Sequence, residues 1–111
     1  MISVEKIIGH IKDIVNSVDV NVEQGIIFGS TATGERTEKS DTDVILISTA
    51  FENTKIYKRT PPFLDAWDNI KYGPVEFICL TPSEFKSKKK KEGSTYKDAD
   101  EEGIKIEFNS T

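Results

Sequence analysis

The chain has 111 residues, enough for one packed core and too few for two domains. Its 15 basic and 19 acidic side chains leave a net charge of −4, which argues against a general affinity for the nucleic-acid backbone. A single cysteine excludes an internal disulfide and zinc-ligand spacing, and no apolar run approaches the length of a bilayer span.

The first residues are already amphipathic and show no signal-peptide pattern, so a cytoplasmic protein is expected. Ser3 is a candidate N-cap. Val4, Ile7, Ile8, Ile11, Ile14, Val15 and Val18 then recur at helical spacing and predict an amphipathic helix, with His10 off its apolar face and in solvent. Residues 25–28 predict a first strand, and Ser30 after it a cap or a turn running to Gly34. Residues 41–48 predict a second strand, whose unbroken apolar stretch implies burial on both faces. Residues 49–60 are polar and read as loop with a short helical piece. Pro61 and Pro62 suit a helix start; Phe63, Ala66, Trp67 and Ile70 then form one apolar stripe, broken by the run Lys71 to Pro74. Residues 75–80 predict a third strand. Thr81, Pro82 and Glu84 combine an N-cap, a first-turn proline and an acid near the positive helix end, opening a lysine-rich helix that runs to about Lys91 and ends by Gly93. Thr95–Glu102 predicts another short helix. Ile104, Ile106 and Phe108 alternate with Lys105 and Glu107, the pattern of a half-buried closing strand. With no repeat and no linker, residues 1–111 read as one α/β (α+β) domain, a small mixed β-sheet of about four strands flanked by helices.

Most functional information lies in residues 25–48. An apolar strand ends in Gly29-Ser30, and ten residues later Asp41-Thr42-Asp43 opens the next strand. Side chains alternate along a strand, so Asp41 and Asp43 share a face. Two like charges on one face are costly unless a cation lies between them. Glycine lets a phosphate approach the backbone, and the serine hydroxyl and following amides can donate to it. Glu76 is an acid inside an otherwise apolar strand, which again is costly without a cation or partner. These residue types suit nucleotidyl transfer, in which a phosphate grip lies beside carboxylates holding Mg²⁺; two-ion sites of this kind place the ions about 3.5–4 Å apart.

The pattern Gly-Ser, ten residues, Asp-x-Asp resembles the nucleotidyltransferase superfamily typified by DNA polymerase β. In size the chain is similar to the minimal nucleotidyltransferases of archaea and bacteria, and the segment from Val75 to Phe85 extends the likeness over about residues 2–108. The resemblance implies a nucleotidyltransferase fold, Mg²⁺ as two ions, and an NTP substrate, usually ATP. By the motif, Gly29 and Ser30 match the phosphate-binding pair, Asp41 and Asp43 match the metal ligands, and Glu76 falls where the third carboxylate lies, usually an aspartate. Thr33 stands where many relatives carry a basic residue, and Arg36 is a candidate to replace that charge.

The sequence leaves no second domain to hold an acceptor, so the acceptor platform is expected from another chain or from a second copy in a homo-oligomer. The resemblance implies the former: minimal nucleotidyltransferases pair with a small helical HEPN-type protein as antitoxin to toxin, and some add AMP to that partner. Two other functions fit the same residues, a partner-binding antitoxin module without catalysis and nucleotide addition to RNA. The lysines of residues 86–91 read as a solvated face, or as a docking surface for an acidic partner or RNA. Cys79 has strand parity opposite to Glu76, and Phe63 and Trp67 lie at helical spacing; all three read as core.

Overall fold

The structure, a computed structural model, describes residues 3–29 and 41–108. Ser3 accepts the Lys6 amide at 3.3 Å and starts α1 (Val4–Ser17). The helix buries Ile7, Ile11, Ile14 and Val15, as their spacing predicts, but ends one residue before Val18, which turns extended as the C-cap. Four strands form one sheet in the order β3-β2-β1-β4. β1 (Gln24–Phe28) runs antiparallel to both β2 (Thr42–Ile47) and β4 (Ile104–Glu107), whereas β3 (Val75–Leu80) pairs parallel with β2. A parallel pair needs a long crossover. Here it consists of a 3₁₀ turn (Thr49–Asn53), α2 (Ile56–Arg59), α3 (Pro61–Ala66) and α4 (Asn69–Tyr72). α5 (Pro82–Lys89) and α6 (Thr95–Glu102) lead from β3 to β4.

The alternation of the strands separates two apolar layers. Ile27, Val44, Leu46, Phe77, Cys79 and Ile106 pack with α1, Phe51, Phe63 and Trp67 on one face. Ile26, Ile45, Ile47 and Leu80 pack with Phe85 of α5 and Ala99 of α6 on the other. Central β2 is therefore covered on both sides, as its continuous apolar run implies. Among the described residues, no helix is long and apolar enough to cross a membrane.

Three local expectations are corrected. The helix expected to carry the stripe from Phe63 to Ile70 stops at Ala66, because Trp67 turns extended and Asp68 caps a new turn by accepting the Lys71 amide at 3.0 Å. Ile70 is thereby turned outward and is 96% exposed. His10 is not a free solvated side chain: it is half-buried, stacked on Tyr72, and accepts the Asp68 amide at 3.0 Å. The lysine-rich helix ends at Lys89, and Lys89 is committed to Asp100 at 3.2 Å.

The polar segment 49–60 is anchored by a residue whose burial its charge disguises. Arg59 is buried, and its Nε donates to the Thr54 carbonyl at 2.9 Å and its Nη1 to the Cys79 carbonyl at 3.2 Å and to Glu84 at 2.6 Å. Glu84 also closes the capping box with Thr81 at the start of α5. One carboxylate thus ties the crossover to the end of β3 and to the next helix.

Candidate active site

Strand register decides which of the acids meet. In the parallel ladder Asp43 pairs with Glu76, and in the antiparallel ladder it pairs with Phe28. The two carboxylates project from neighbouring strands at one end of the sheet, on the face that carries Ile45, Ile47 and Ile78. Asp43 is half-buried and Glu76 is exposed. Burial raises the Asp43 carboxyl above its ordinary range, and the charges of Glu76 and Asp41 and a hydrogen bond with Glu76 raise it further.

Asp41 behaves differently. It immediately precedes the β2 ladder and is exposed. Its charge reaches Asp43, yet among the described residues no three Asp, Glu, His or Cys side chains converge closely enough to hold a metal ion. The structure therefore brings Asp43 and Glu76 together and leaves Asp41 beside the pair.

β1 delivers the chain to the same end. Gly29 follows Phe28 with φ +76°, a conformation costly to any residue with a Cβ. A Cβ there would lie 2.8 Å from Asp43 Oδ2. Glycine thus serves two purposes, the left-handed turn and the space for the Asp43 carboxylate. Ser30, Thr33 and Arg36 lie outside the described residues.

A cleft of 190 Å³ opens beside Gly29, between the end of β1 and α6. Phe28, Gly29, Ala99 and Gly103 form its apolar walls, and Thr95, Asp98 and Glu102 its polar side. Gly103 permits the close approach of α6 to β1, since a Cβ there would lie 2.5 Å from the Ala99 carbonyl and from Ile26 Cγ2. Asp98 and Glu102 stand outside the Gly-Ser and Asp-x-Asp motif. Their i, i+4 spacing on a short helix was the available signal that they share one face. Of the residues read as core, Phe63, Trp67 and Cys79 are buried, and burial pushes the Cys79 thiol up to about 11.

A sequence model of the nucleotidyltransferase domain matches residues 4–106. A solved structure of a proposed nucleotidyltransferase from Sulfolobus solfataricus superposes with a TM-score of 0.62 at 17% identity, covering 96% of this chain and 86% of that one. At that identity the likeness establishes the fold alone. A comparison with curated proteins found no match. The family match spans the strand that leads into Gly29, the two strands carrying Asp43 and Glu76, and the helices that cover them, so the chain belongs to the DNA polymerase β-like nucleotidyltransferase domain family.

Proposed function

We propose that the chain transfers a nucleoside monophosphate, AMP from ATP, to a hydroxyl group on a partner protein. Nucleotidyl transfer in general follows from the family. The observation that carries the site assignment is the convergence at one sheet end, where Asp43 lies opposite Glu76 and its carboxylate fills the space left by the missing Gly29 side chain. An all-oxygen donor set suits Mg²⁺, and burial first, then the charges of Glu76 and Asp41, raise the Asp43 carboxyl, a cost that a bound cation would offset. Asp43 and Glu76 would hold the metal, with Asp41, which precedes β2, the further ligand that the Asp-x-Asp motif implies. When bound, Mg²⁺ offsets charge on the attacking and leaving oxygens.

The chain's own residues have separate tasks. Gly29 and Ser30 grip the β- and γ-phosphates through backbone amides and the hydroxyl. That grip turns the α-phosphorus toward the carboxylates. The acceptor oxygen attacks the α-phosphorus; the new P–O bond forms as the α–β bridging bond breaks, and pyrophosphate leaves. Glu76, exposed at the start of β3, takes the hydroxyl proton.

The acceptor we infer is a small helical HEPN-type protein, with this chain as its antitoxin. The support is architectural: the described residues supply a sheet and the helices that cover it, with no further platform to hold a hydroxyl in line. Incubation with labelled NTPs, Mg²⁺ and such a partner, followed by intact-mass analysis of both proteins, tests the reading. The expected result is a metal-dependent gain of one AMP on the partner. A partner that is retained but never modified would refute catalysis and leave a binding module, and nucleotides added to RNA alone would replace the protein acceptor.

A further inference from the structure

His10 is the chain's one histidine and Trp67 its one tryptophan. They meet where α1 packs against the corner between α3 and α4. The His10 ring stacks on Tyr72 with centroids 4.2 Å apart and planes at 13°, and its centroid lies 4.7 Å from that of Trp67. Its Nε2 accepts the Asp68 amide at 3.0 Å. Two further bonds close the corner: the Trp67 indole N–H donates to the Gly73 carbonyl at 2.8 Å, and the Lys71 amide to the Asp68 carboxylate at 3.0 Å. Gly73, at φ +80°, then turns the chain into Pro74, whose carbonyl accepts the Thr42 amide at 3.0 Å. Thr42 separates Asp41 from Asp43, and Pro74 leads into the strand that carries Glu76.

We propose that neutral His10 is a positioning residue for the carboxylate end of the sheet, holding the corner 67–74 against α1 so that Pro74 fixes Thr42 and the start of β3. The inference rests on the reading of Asp43 and Glu76 as the transfer site, but the clamp itself can be measured without it. The bond to Asp68 uses the lone pair of Nε2. A proton at that nitrogen would set donor against donor and break the contact. The charged groups facing the ring are Asp13 on α1, and Asp68 and Lys71 at the corner. The two acids favour protonation, whereas burial and Lys71 oppose it; burial prevails and His10 titrates below its ordinary 6.5. A lowered folded value means that the clamp is complete above the unfolded value and is lost as pH falls through the folded one.

Amide protection measured by NMR tests this in the wild type, in His10→Gln and in His10→Leu. The glutamine amide oxygen can accept the Asp68 amide without titrating. As pH falls from about 7.5 through the His10 transition, followed by the imidazole chemical shifts of the same samples, protection corrected for intrinsic exchange should fall about fivefold or more at Asp68 and Thr42 of the wild type. Trp67 fluorescence should change with the same midpoint. His10→Gln should show neither change, and His10→Leu should be weakly protected at both ends of the range. Parallel behaviour of wild type and His10→Gln would overturn the proposal, as would loss at Asp68 with Thr42 unmoved. Mn²⁺ affinity, measured on the same samples, separates the two readings: a clamp that opens as described in a protein that never binds the ion supports the positioning geometry and refutes only the metal role of the carboxylates.

Discussion

Gly29→Ala probes the turn that joins β1 to the carboxylates, and Gly93→Ala is its natural control. Both glycines have φ +76°. A Cβ at Gly93 meets nothing within 4 Å, whereas one at Gly29 lies 2.8 Å from Asp43 Oδ2. Left-handed backbone costs an alanine about 1–2 kcal/mol, offset by about 0.4–1 kcal/mol from the stiffer unfolded chain. Both variants should therefore lose about 1 kcal/mol, equivalent to about 4–8 °C in melting temperature for a domain near this size. The contact at Gly29 adds little to that loss, because a carboxylate at the end of a side chain can rotate away. What it changes is position: Asp43 moves off Glu76. Melting curves with and without Mg²⁺ and ATP separate the two effects. Gly93→Ala should keep the full ligand-induced shift and Gly29→Ala should lose most of it. A Gly29→Ala protein as stable as the wild type would reject the strained turn, and one with an undiminished ligand shift would reject the coupling of Gly29 to Asp43.

In the wild type, Mg²⁺ with ATP at a hundredfold excess over Kd should raise stability by about 2.7 kcal/mol, and Asp43→Asn should abolish transfer while leaving the ligand-free protein at least as stable, since it removes repulsion from Glu76 and Asp41; transfer at the wild-type rate would reject the metal role. Arg59 foremost, and then the Thr81 amide, hold the Glu84 carboxyl below its ordinary value, so this pair stabilises the fold above about pH 4.5 and that contribution is lost as pH falls through the lowered value. Urea melts across that window should show the fall in the wild type and a flatter profile in Glu84→Gln. Cys79, buried with its thiol raised to about 11, should resist thiol reagents at mildly alkaline pH until the protein unfolds, and prompt labelling of the native protein would contradict its packing.

The elements written in local chemistry were legible. Residues 75–80 form β3 with the expected bounds, Thr81 and Glu84 close the expected cap, and residues 95–102 form the expected helix. The elements set by distant partners were not. A periodic stripe from Phe63 to Ile70 gave no sign that the Trp67 indole would reach the Gly73 carbonyl and end the helix. Arg59 looks like a surface cation until the Thr54 and Cys79 carbonyls and Glu84 are brought around it. His10 lies off the apolar stripe, and its neighbours at 67–72 are far away in sequence. At the candidate site, the acids could be named from spacing, but the pairing of Asp43 with Glu76 is a matter of register. Nor could spacing tell that Asp41 would lie before the ladder and not in it.

The surfaces around the candidate site bear on the choice between a protein acceptor and RNA. Beside Gly29, Asp98 and Glu102 line the 190 Å³ cleft, and among the described residues no basic side chain lines it. Between the end of α5 and the start of α6, Lys88 and Lys91 line a groove of 400 Å³, and Thr95 borders both spaces. Among the described residues, a molecule reaching from groove to cleft therefore passes along α6 from two lysines and Glu92 to the acids Asp98 and Glu102. A polynucleotide carries a phosphate at every residue, and Asp98 and Glu102 would repel those phosphates beside Gly29. A protein segment with acids followed by a neutral hydroxyl-bearing side chain meets no such conflict. Charge reversal at Lys88 and Lys91 should then slow association with the proposed protein acceptor and weaken its salt dependence, because charges at the rim act mainly on the rate of encounter. Neutralising the cleft by Asp98→Asn with Glu102→Gln should leave that association rate nearly unchanged. Equal slowing by both pairs of substitutions would show that the two surfaces do not divide the task in this way.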